Sequence, residues 1–256
     1  MSAPLRLSDL RVTWPGTHFR LEVPELELVA GRVTVVAGAS GSGKSTLGCA
    51  WAGLLPYLGA RIRGRVTFAA GEADLGNRKE WKPLRGRAVR WIPQDPARAF
   101  TPTRPLLRQV LEGCAPGPER DEQLARLLKV LGLPAAEELR RRAPFELSGG
   151  MLQRAAMVSA FLPGPELVVA DEPTAFLDPP RSLTLARIVT ALSKATSAAV
   201  LWITHDLRLA AAVADRVILL EEGKVAADGP PDLILNPMGE SPSALVRASA
   251  RLALPL

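Results

Sequence analysis

Hydrophobic positions along this chain change their period several times. Residues 5–12 alternate apolar and polar, Trp14-Pro15-Gly16 breaks the run, and alternation resumes over 19–28, with Phe19, Leu21 and Val23 set against Arg20 and Glu22. Period two on both sides of a turn predicts an antiparallel, hairpin-like piece with one face buried. Ala30-Gly31 then leads into 32–37, a short run of β-branched apolar residues that reads as a buried strand. A helix is expected from 46 to about 55, ended by Pro56. Residues 61–68, with Ile62, Val66 and Phe68, suggest a strand joining the first antiparallel sheet, and the polar stretch 71–82 reads as a loop.

Beyond a short strand at 87–92, stopped by Pro93-Gln94-Asp95-Pro96, the pattern turns helical to about residue 162. Within it Leu124, Leu127, Leu128 and Leu131 fall at i, i+3, i+4 and i+7, one face of a helix that packs into a core. Buried strands follow at 166–172 and 198–204, separated by a helix at 181–194, with a short helix at 206–215 and a hairpin over 216–227. Buried strands alternating with helices imply a mostly parallel sheet with helices on both faces. The tail after Asp232 is interrupted by proline and weakly helical from Ser243.

The strand at 32–37 runs straight into Gly38-Ala39-Ser40-Gly41-Ser42-Gly43-Lys44-Ser45, which fits G-x-x-x-x-G-K-[ST]. Strand, glycine loop, helix is the context this phosphate-binding motif requires. Gly38, Gly41 and Gly43 allow backbone angles that let N–H groups converge on phosphate oxygens at a helix N-terminus. Lys44 would reach the β- and γ-phosphates and Ser45 would place its hydroxyl on Mg²⁺. Ser40 and Thr46 belong to the same nucleotide-binding set. A glycine-rich turn alone is the bland alternative, and the flanking elements argue against it.

Composition adds constraints. The 256 residues are 47% hydrophobic, enough for one large domain or a core plus a subdomain. The formal charge is +6, from 32 basic against 26 acidic residues. No basic run of five occurs and no stacking aromatics sit among basic residues, so a solvated arginine-rich surface is preferred over nucleic-acid binding. Cys49 and Cys114 stand 65 positions apart, with two histidines in the chain. That composition speaks against a disulfide framework and against a zinc or iron–sulfur site, and for a reducing compartment. No signal-like segment opens the chain and no run approaches 18 apolar residues, so no membrane span is expected.

Four further places carry chemistry. Asp171 closes an apolar run, where an acid faces the ligand crevice of a parallel sheet and can hold Mg²⁺. Glu172 can act on an attacking water as general base. His205 also follows a buried strand; taken alone it reads as a satisfied histidine, and with the set it would donate a hydrogen bond near the γ-phosphate. Gln94 could contact Mg²⁺ or the water. In Leu147-Ser148-Gly149-Gly150-Met151-Leu152-Gln153-Arg154, Ser148 can cap a helix whose first N–H groups, at Gly149 and Gly150, form a second anion site, about a hundred residues from the first. Alone, that segment is an ordinary helix start.

In this order the motifs resemble the ATP-binding cassette (ABC) ATPases: a Walker A loop at 38–45, a Q-loop at Gln94, a signature at 147–150, a Walker B strand at 167–171 with Glu172, a D-loop at Ala175-Phe176-Leu177-Asp178 and a switch histidine at His205. The match covers about residues 5–230. The resemblance implies an α/β fold: a P-loop NTPase, RecA-like core, an antiparallel β subdomain from the N-terminal strands, and an inserted α-helical subdomain at about 96–163. It makes 1–235 the ATPase domain and 236–256 a C-terminal tail. It further implies two domains sandwiching two ATP head to tail, with Ser148 and Gly150 on the γ-phosphate held by the partner and Asp178 bridging the two sites. Members stack adenine on an aromatic upstream of Walker A; Trp14 matches best and Phe19 less well.

Trp91-Ile92-Pro93-Gln94-Asp95-Pro96 with Ala99-Phe100-Thr101-Pro102, and the Met151–Arg154 end of the signature, resemble peptide and nickel importers. The cysteine-rich extension of the longer peptide-type subunits is absent, and Asn236–Val246 replaces their usual His-Pro-Tyr segment. The resemblance implies an ATPase peripheral on the cytoplasmic side of the cell membrane. Its implied partners are two transmembrane permease subunits, a second ABC ATPase and a solute-binding protein, with no nucleic acid. The motor of an efflux or lipoprotein-release system, a soluble ABC protein acting on DNA or the ribosome, and a nucleotide-binding regulator without turnover are the alternatives.

Overall fold

The computed structural model describes residues 4–175 and 177–232; the expectations for 236–246 and for a helical tail from 243 lie outside them, as does Phe176 of the 175–178 segment. In chain order, β1 (Leu5–Thr13) and β2 (Arg20–Leu28) precede β3 (Val33–Gly38) and α1 (Lys44–Trp51). Next come β4 (Arg61–Phe68), β5 (Gly71–Asp74), α2 (Arg78–Trp81) and β6 (Val89–Ile92). The chain is then helical: α3 (Leu106–Val110), α4 (Pro118–Val130), α5 (Ala136–Leu139) and α6 (Gly149–Phe161). It closes with β7 (Leu167–Asp171), α7 (Pro179–Thr196), β8 (Ala199–Ile203), α8 (Leu207–Val213), β9 (Arg216–Glu221) and β10 (Lys224–Gly229).

The strands form two sheets. One is antiparallel in the order β2-β1-β4-β5 and contains the N-terminal hairpin, as the period-two pattern requires. The other runs β10-β9-β3-β8-β7-β6, parallel except for β10. Its central strands are buried on both faces, which is why they read as continuous apolar runs.

The two faces of this sheet are covered differently. Val168 and Ala170 of β7, with Val200 and Trp202 of β8, face a core shared with α3, α4, α6, α7 and α8. The alternate residues Leu167, Val169, Leu201 and Ile203 face α1 and the antiparallel sheet. Helices thus cover both faces as expected, with α1 lying on the second face together with the antiparallel sheet. The leucine stripe on α4 is core, with Leu124, Leu127 and Leu128 each at most 4% exposed.

Two boundaries differ from the sequence reading. The helix after the phosphate loop ends at Trp51, well before Pro56, because Gly53 takes a left-handed φ of 66° and turns the chain. The presumed loop 71–82 contains β5 and α2, since Ala73 pairs with Val66 and Asn77 caps α2 by accepting the Lys79 N–H. Alternation is hard to see in a four-residue strand, and α2 is a single turn. Gly53 and α2 are coupled: a Cβ at Gly53 would lie 2.2 Å from the ring of the fully buried Trp81.

Gly53→Ala therefore meets an unfavourable φ and a fixed aromatic ring together. It should lower unfolding free energy by at least about 2 kcal/mol, read from the midpoint of urea denaturation. An unchanged midpoint would mean that this turn is not under the constraint its geometry indicates.

Candidate functional site: a nucleotide crevice at the strand ends

Strands β3, β8 and β7 end level with one another. Val36 pairs with Ile203, and Ile203 pairs with Asp171. The segments that leave these strands, the glycine loop, Asp171-Glu172 and Thr204-His205, therefore share one edge of the sheet, where ligands of open α/β folds bind. Gln94 leaves β6 at the same edge, two residues beyond the Ile92–Ala170 pair, and is exposed.

The loop is shaped by close approach. A Cβ at Gly38, whose φ is 157°, would stand 2.3 Å from the Leu220 carbonyl oxygen and 2.6 Å from Ser42 Oγ. Ser42 is buried, its hydroxyl has no partner among the described residues, and nothing in the motif's pattern singled it out. Gly43 sits at the N-cap of α1 with φ 106° and no side-chain cap, so the first N–H groups of α1, from Lys44, Ser45 and Thr46, stay available to an anion. Gly41 and Ser40 are exposed at the tip. Lys44 is 8% exposed, and its Nζ donates to the carbonyl oxygens of Gly38 (2.8 Å) and Ala39 (2.9 Å). Burial lowers its pKa, opposed by the charges of Glu172 and Asp171.

Ser45 Oγ donates to Asp171 Oδ1 at 3.3 Å. Burial raises the Asp171 pKa, the Ser45 hydrogen bond acts the other way, and the neighbouring Glu172 raises it further. Glu172 departs from the strand with φ 44°, its N–H donating to Ile203 O at 2.9 Å. Its carboxylate lies 3.0 Å from His205 Nδ1. A left-handed φ at a residue with a Cβ costs energy, and here it turns the carboxylate towards the histidine. Behind them Cys49 is half-buried near Asp171, and desolvation pushes its thiol up to about 12, inert at neutral pH.

A divalent ion suits this edge. Among the described residues no three of His, Cys, Asp and Glu converge into a protein cage. A hydroxyl and a desolvated carboxylate in contact supply hard oxygen ligands, and Lys44 is engaged with its own loop. Mg²⁺ takes one or two protein oxygens and completes its shell with phosphate and water.

Two of the sequence candidates lie apart from this edge. Ser148 caps α6, its Oγ accepting the Met151 N–H at 3.3 Å, with Gly149 and Gly150 opening the helix. Asp178 caps α7 by accepting the Arg181 N–H at 2.9 Å. Ser148, Gly150, Leu177 and Arg181 line one cavity of about 730 Å³, so the 147–150 and 177–178 segments are neighbours. No hydrogen bond among the described residues joins them to the phosphate loop. Of the two upstream aromatics, Phe19 lies against the loop, its Cζ 3.1 Å from where a Gly43 Cβ would be, and shares a pocket with Gly41 and Lys224. Trp14 is half-buried against the core of the antiparallel sheet.

A parallel sheet with a glycine loop, a cationic lysine and two carboxylates at its C-terminal edge is a nucleotide-hydrolase cassette. The profile of the ABC transporter family matches residues 21–175, and the chain belongs to that family. It is similar to the dipeptide transport ATP-binding protein DppD of Bacillus subtilis, 31% identical over 99% of this chain and 79% of the relative. It is also similar to the oligopeptide transport ATP-binding protein OppD of Salmonella typhimurium, 32% identical over 97% of this chain and 76% of that one. Its fold matches that of cbiO1 of Clostridium perfringens, part of the ABC transporter complex cbiONQ, with a TM-score of 0.76 at 25% identity, covering 98% and 95% of the two chains. The chain is an ABC ATPase.

Because burial holds the folded-state pKa of Asp171 above its unfolded value, ionising it costs stability. The cost begins as pH rises through the unfolded pKa and is complete above the folded one. Asp171→Asn, which cannot ionise, should therefore melt higher than the parent at neutral pH without nucleotide, with the difference closing in acid. Scanning fluorimetry across pH checks this, and a lower Tm for the variant at neutral pH would contradict burial as the cause.

Proposed function

We propose that this chain is the ATP-hydrolysing subunit of a peptide importer, peripheral on the cytoplasmic side of the cell membrane and driving separate permease subunits. The observation that carries the ATPase part is the convergence of Lys44, Ser45, Asp171, Glu172 and His205 at one sheet edge. The cargo class rests on the similarity to dipeptide and oligopeptide transport proteins. No helix among the described residues is long and apolar enough to cross a membrane, so the permeases are separate chains in this reading.

The roles follow from the contacts. Phosphate oxygens draw the Lys44 ammonium from the Gly38 and Ala39 carbonyls, and the N–H groups of Gly41, Gly43 and the first turn of α1 receive the rest of the charge, with Ser40 and Thr46 beside them. Ser45 and Asp171, with Gln94 at the same edge, would hold Mg²⁺, which would supply charge neutralisation of the phosphates. Glu172 takes the proton of the attacking water as its oxygen bonds to the γ-phosphorus and the bond to ADP breaks. His205, protonated on Nδ1, donates to that carboxylate and holds it. Trp14 or Phe19 would stack on the adenine. Ser148, Gly149 and Gly150 form a second anion site away from this edge, which suits a γ-phosphate held by a second ATPase copy or paralogue, with Asp178 alongside.

Residues 1–235 make the ATPase domain in this reading, with 96–163 as its helical subdomain and 236–256 as a tail. A groove of about 510 Å³, lined by Arg90, Trp91, Phe100 and Gln109, lies where β6 meets the helical segment and suits a permease's cytoplasmic helix. A solute-binding protein would complete the importer.

Glu172→Gln should lower turnover by at least about 10²-fold and accumulate an ATP-bound dimer on size exclusion, since phosphate binding is kept. Normal turnover would remove Glu172 from its role. Lys44→Ala should weaken ATP binding at least about tenfold by equilibrium titration. For the transport reading, the tagged chain is recovered from detergent-solubilised native membranes and its partners are identified by mass spectrometry. Two permeases with a solute-binding protein are expected; ribosomal or DNA-associated proteins without a permease would overturn transport and leave the ATPase standing.

A further inference from the structure

Away from the nucleotide edge, one part of the surface combines exposed apolar groups with unpaired cations. The single 3₁₀ turn after α1, Leu55–Tyr57, leaves Tyr57 45% and Leu58 54% exposed. The Tyr57 ring is covered by two guanidinium groups, Arg78 at 4.6 Å and Arg85 at 4.3 Å from its centroid. Arg85 also donates to the Tyr57 hydroxyl at 2.5 Å, and Arg78 is fixed on the Pro56 carbonyl. β4 begins just beyond, and its exposed side carries Arg61 and Arg63. Arg63 stands directly across from Arg11 of β1.

Like charges directly opposed across strands cost stability unless a counter-charge is near. Farther along the same sheet that need is met within the chain: Arg6 pairs with Glu25 and Glu27, and Arg65 with Glu72. Among the described residues no carboxylate forms an ion pair with Arg61, Arg63, Arg78 or Arg85; the nearest ion pairs on the sheet belong to Arg6, Arg20 and Arg65. Arg11 has Glu22 across from it on β2, so the cations of this patch left open to an outside anion are Arg61, Arg63, Arg78 and Arg85.

We propose that this patch seats the chain directly on the anionic phospholipid headgroups of a membrane, in addition to any contact with a permease. Guanidinium groups bind phosphate diesters through paired N–H donors. A tyrosine with a wet hydroxyl and an apolar ring, next to an exposed leucine, suits the level of the headgroups. Single-stranded nucleic acid offers the same phosphate, but it is held largely by base stacking on aromatics, and the ring of Tyr57 is already covered by Arg78 and Arg85. The inference rests on the transporter reading only in placing a membrane within reach.

The test is flotation of the purified full-length chain with vesicles of phosphatidylcholine alone and of phosphatidylcholine mixed with phosphatidylglycerol. Binding is expected on the acidic vesicles only and should weaken with added salt. Arg61→Gln with Arg63→Gln should lower that partitioning by about thirty-fold, and Leu58→Ser should lower it severalfold, with Tm and ATP binding unchanged in both. No binding, equal binding to neutral vesicles, or binding to acidic vesicles that both variants retain would each overturn the proposal. So would capture of a single-stranded RNA oligonucleotide lost in the double variant, without vesicle binding. No permease enters this assay, so its failure is separate from failure of the transport reading.

Discussion

The level ending of β3, β8 and β7 is the constraint on which the site depends. Parallel register places the glycine loop, Asp171 with Glu172, and His205 at one edge although the loop is more than a hundred residues of chain from the other two. Because β-strand side chains alternate, a slip of one residue in β7 would exchange Val168 and Ala170 with Leu167 and Val169 between two different cores. One core is made by helices and the other by α1 and a second sheet, so neither could accept the other's side chains without repacking. The site is held by hydrophobic register, and the bond that joins the phosphate loop to β7, from Ser45 to Asp171, is 3.3 Å long.

Much of this was legible in the sequence because each part has a local cause. The phosphate loop needs glycines at fixed offsets between a strand and a helix, and Asp171 stands out because it ends an apolar run. The hairpin and the parallel core follow from period two and from continuous β-branched runs. What escaped was set by distant packing. Gly53 ends α1 because Trp81 of α2 fills the space where a side chain would be, and no pattern within either segment states that.

Two glutamines show how differently one residue type can be placed. Gln94, conspicuous before a proline-flanked turn, is exposed with no hydrogen bond among the described residues. Gln109, with no motif around it, is 7% exposed and ties the 101–104 turn together through Thr101 N, Thr101 O and Arg104 O. Of the two upstream aromatics, Phe19 is the one that lies against Gly43 of the loop, while Trp14 packs on the antiparallel sheet.

The posture of Lys44 changes what binding a nucleotide means for this chain. Its ammonium is largely buried and directs two of its three N–H donors to the Gly38 and Ala39 carbonyls of its own loop, beside the uncapped start of α1. Phosphate entry is then an exchange of one set of charge-assisted hydrogen bonds for another. The observed affinity is the difference between the two sets, and a lone monovalent anion gains little from the trade. A chain of phosphates that also engages Ser45 and the helix start gains on several contacts at once.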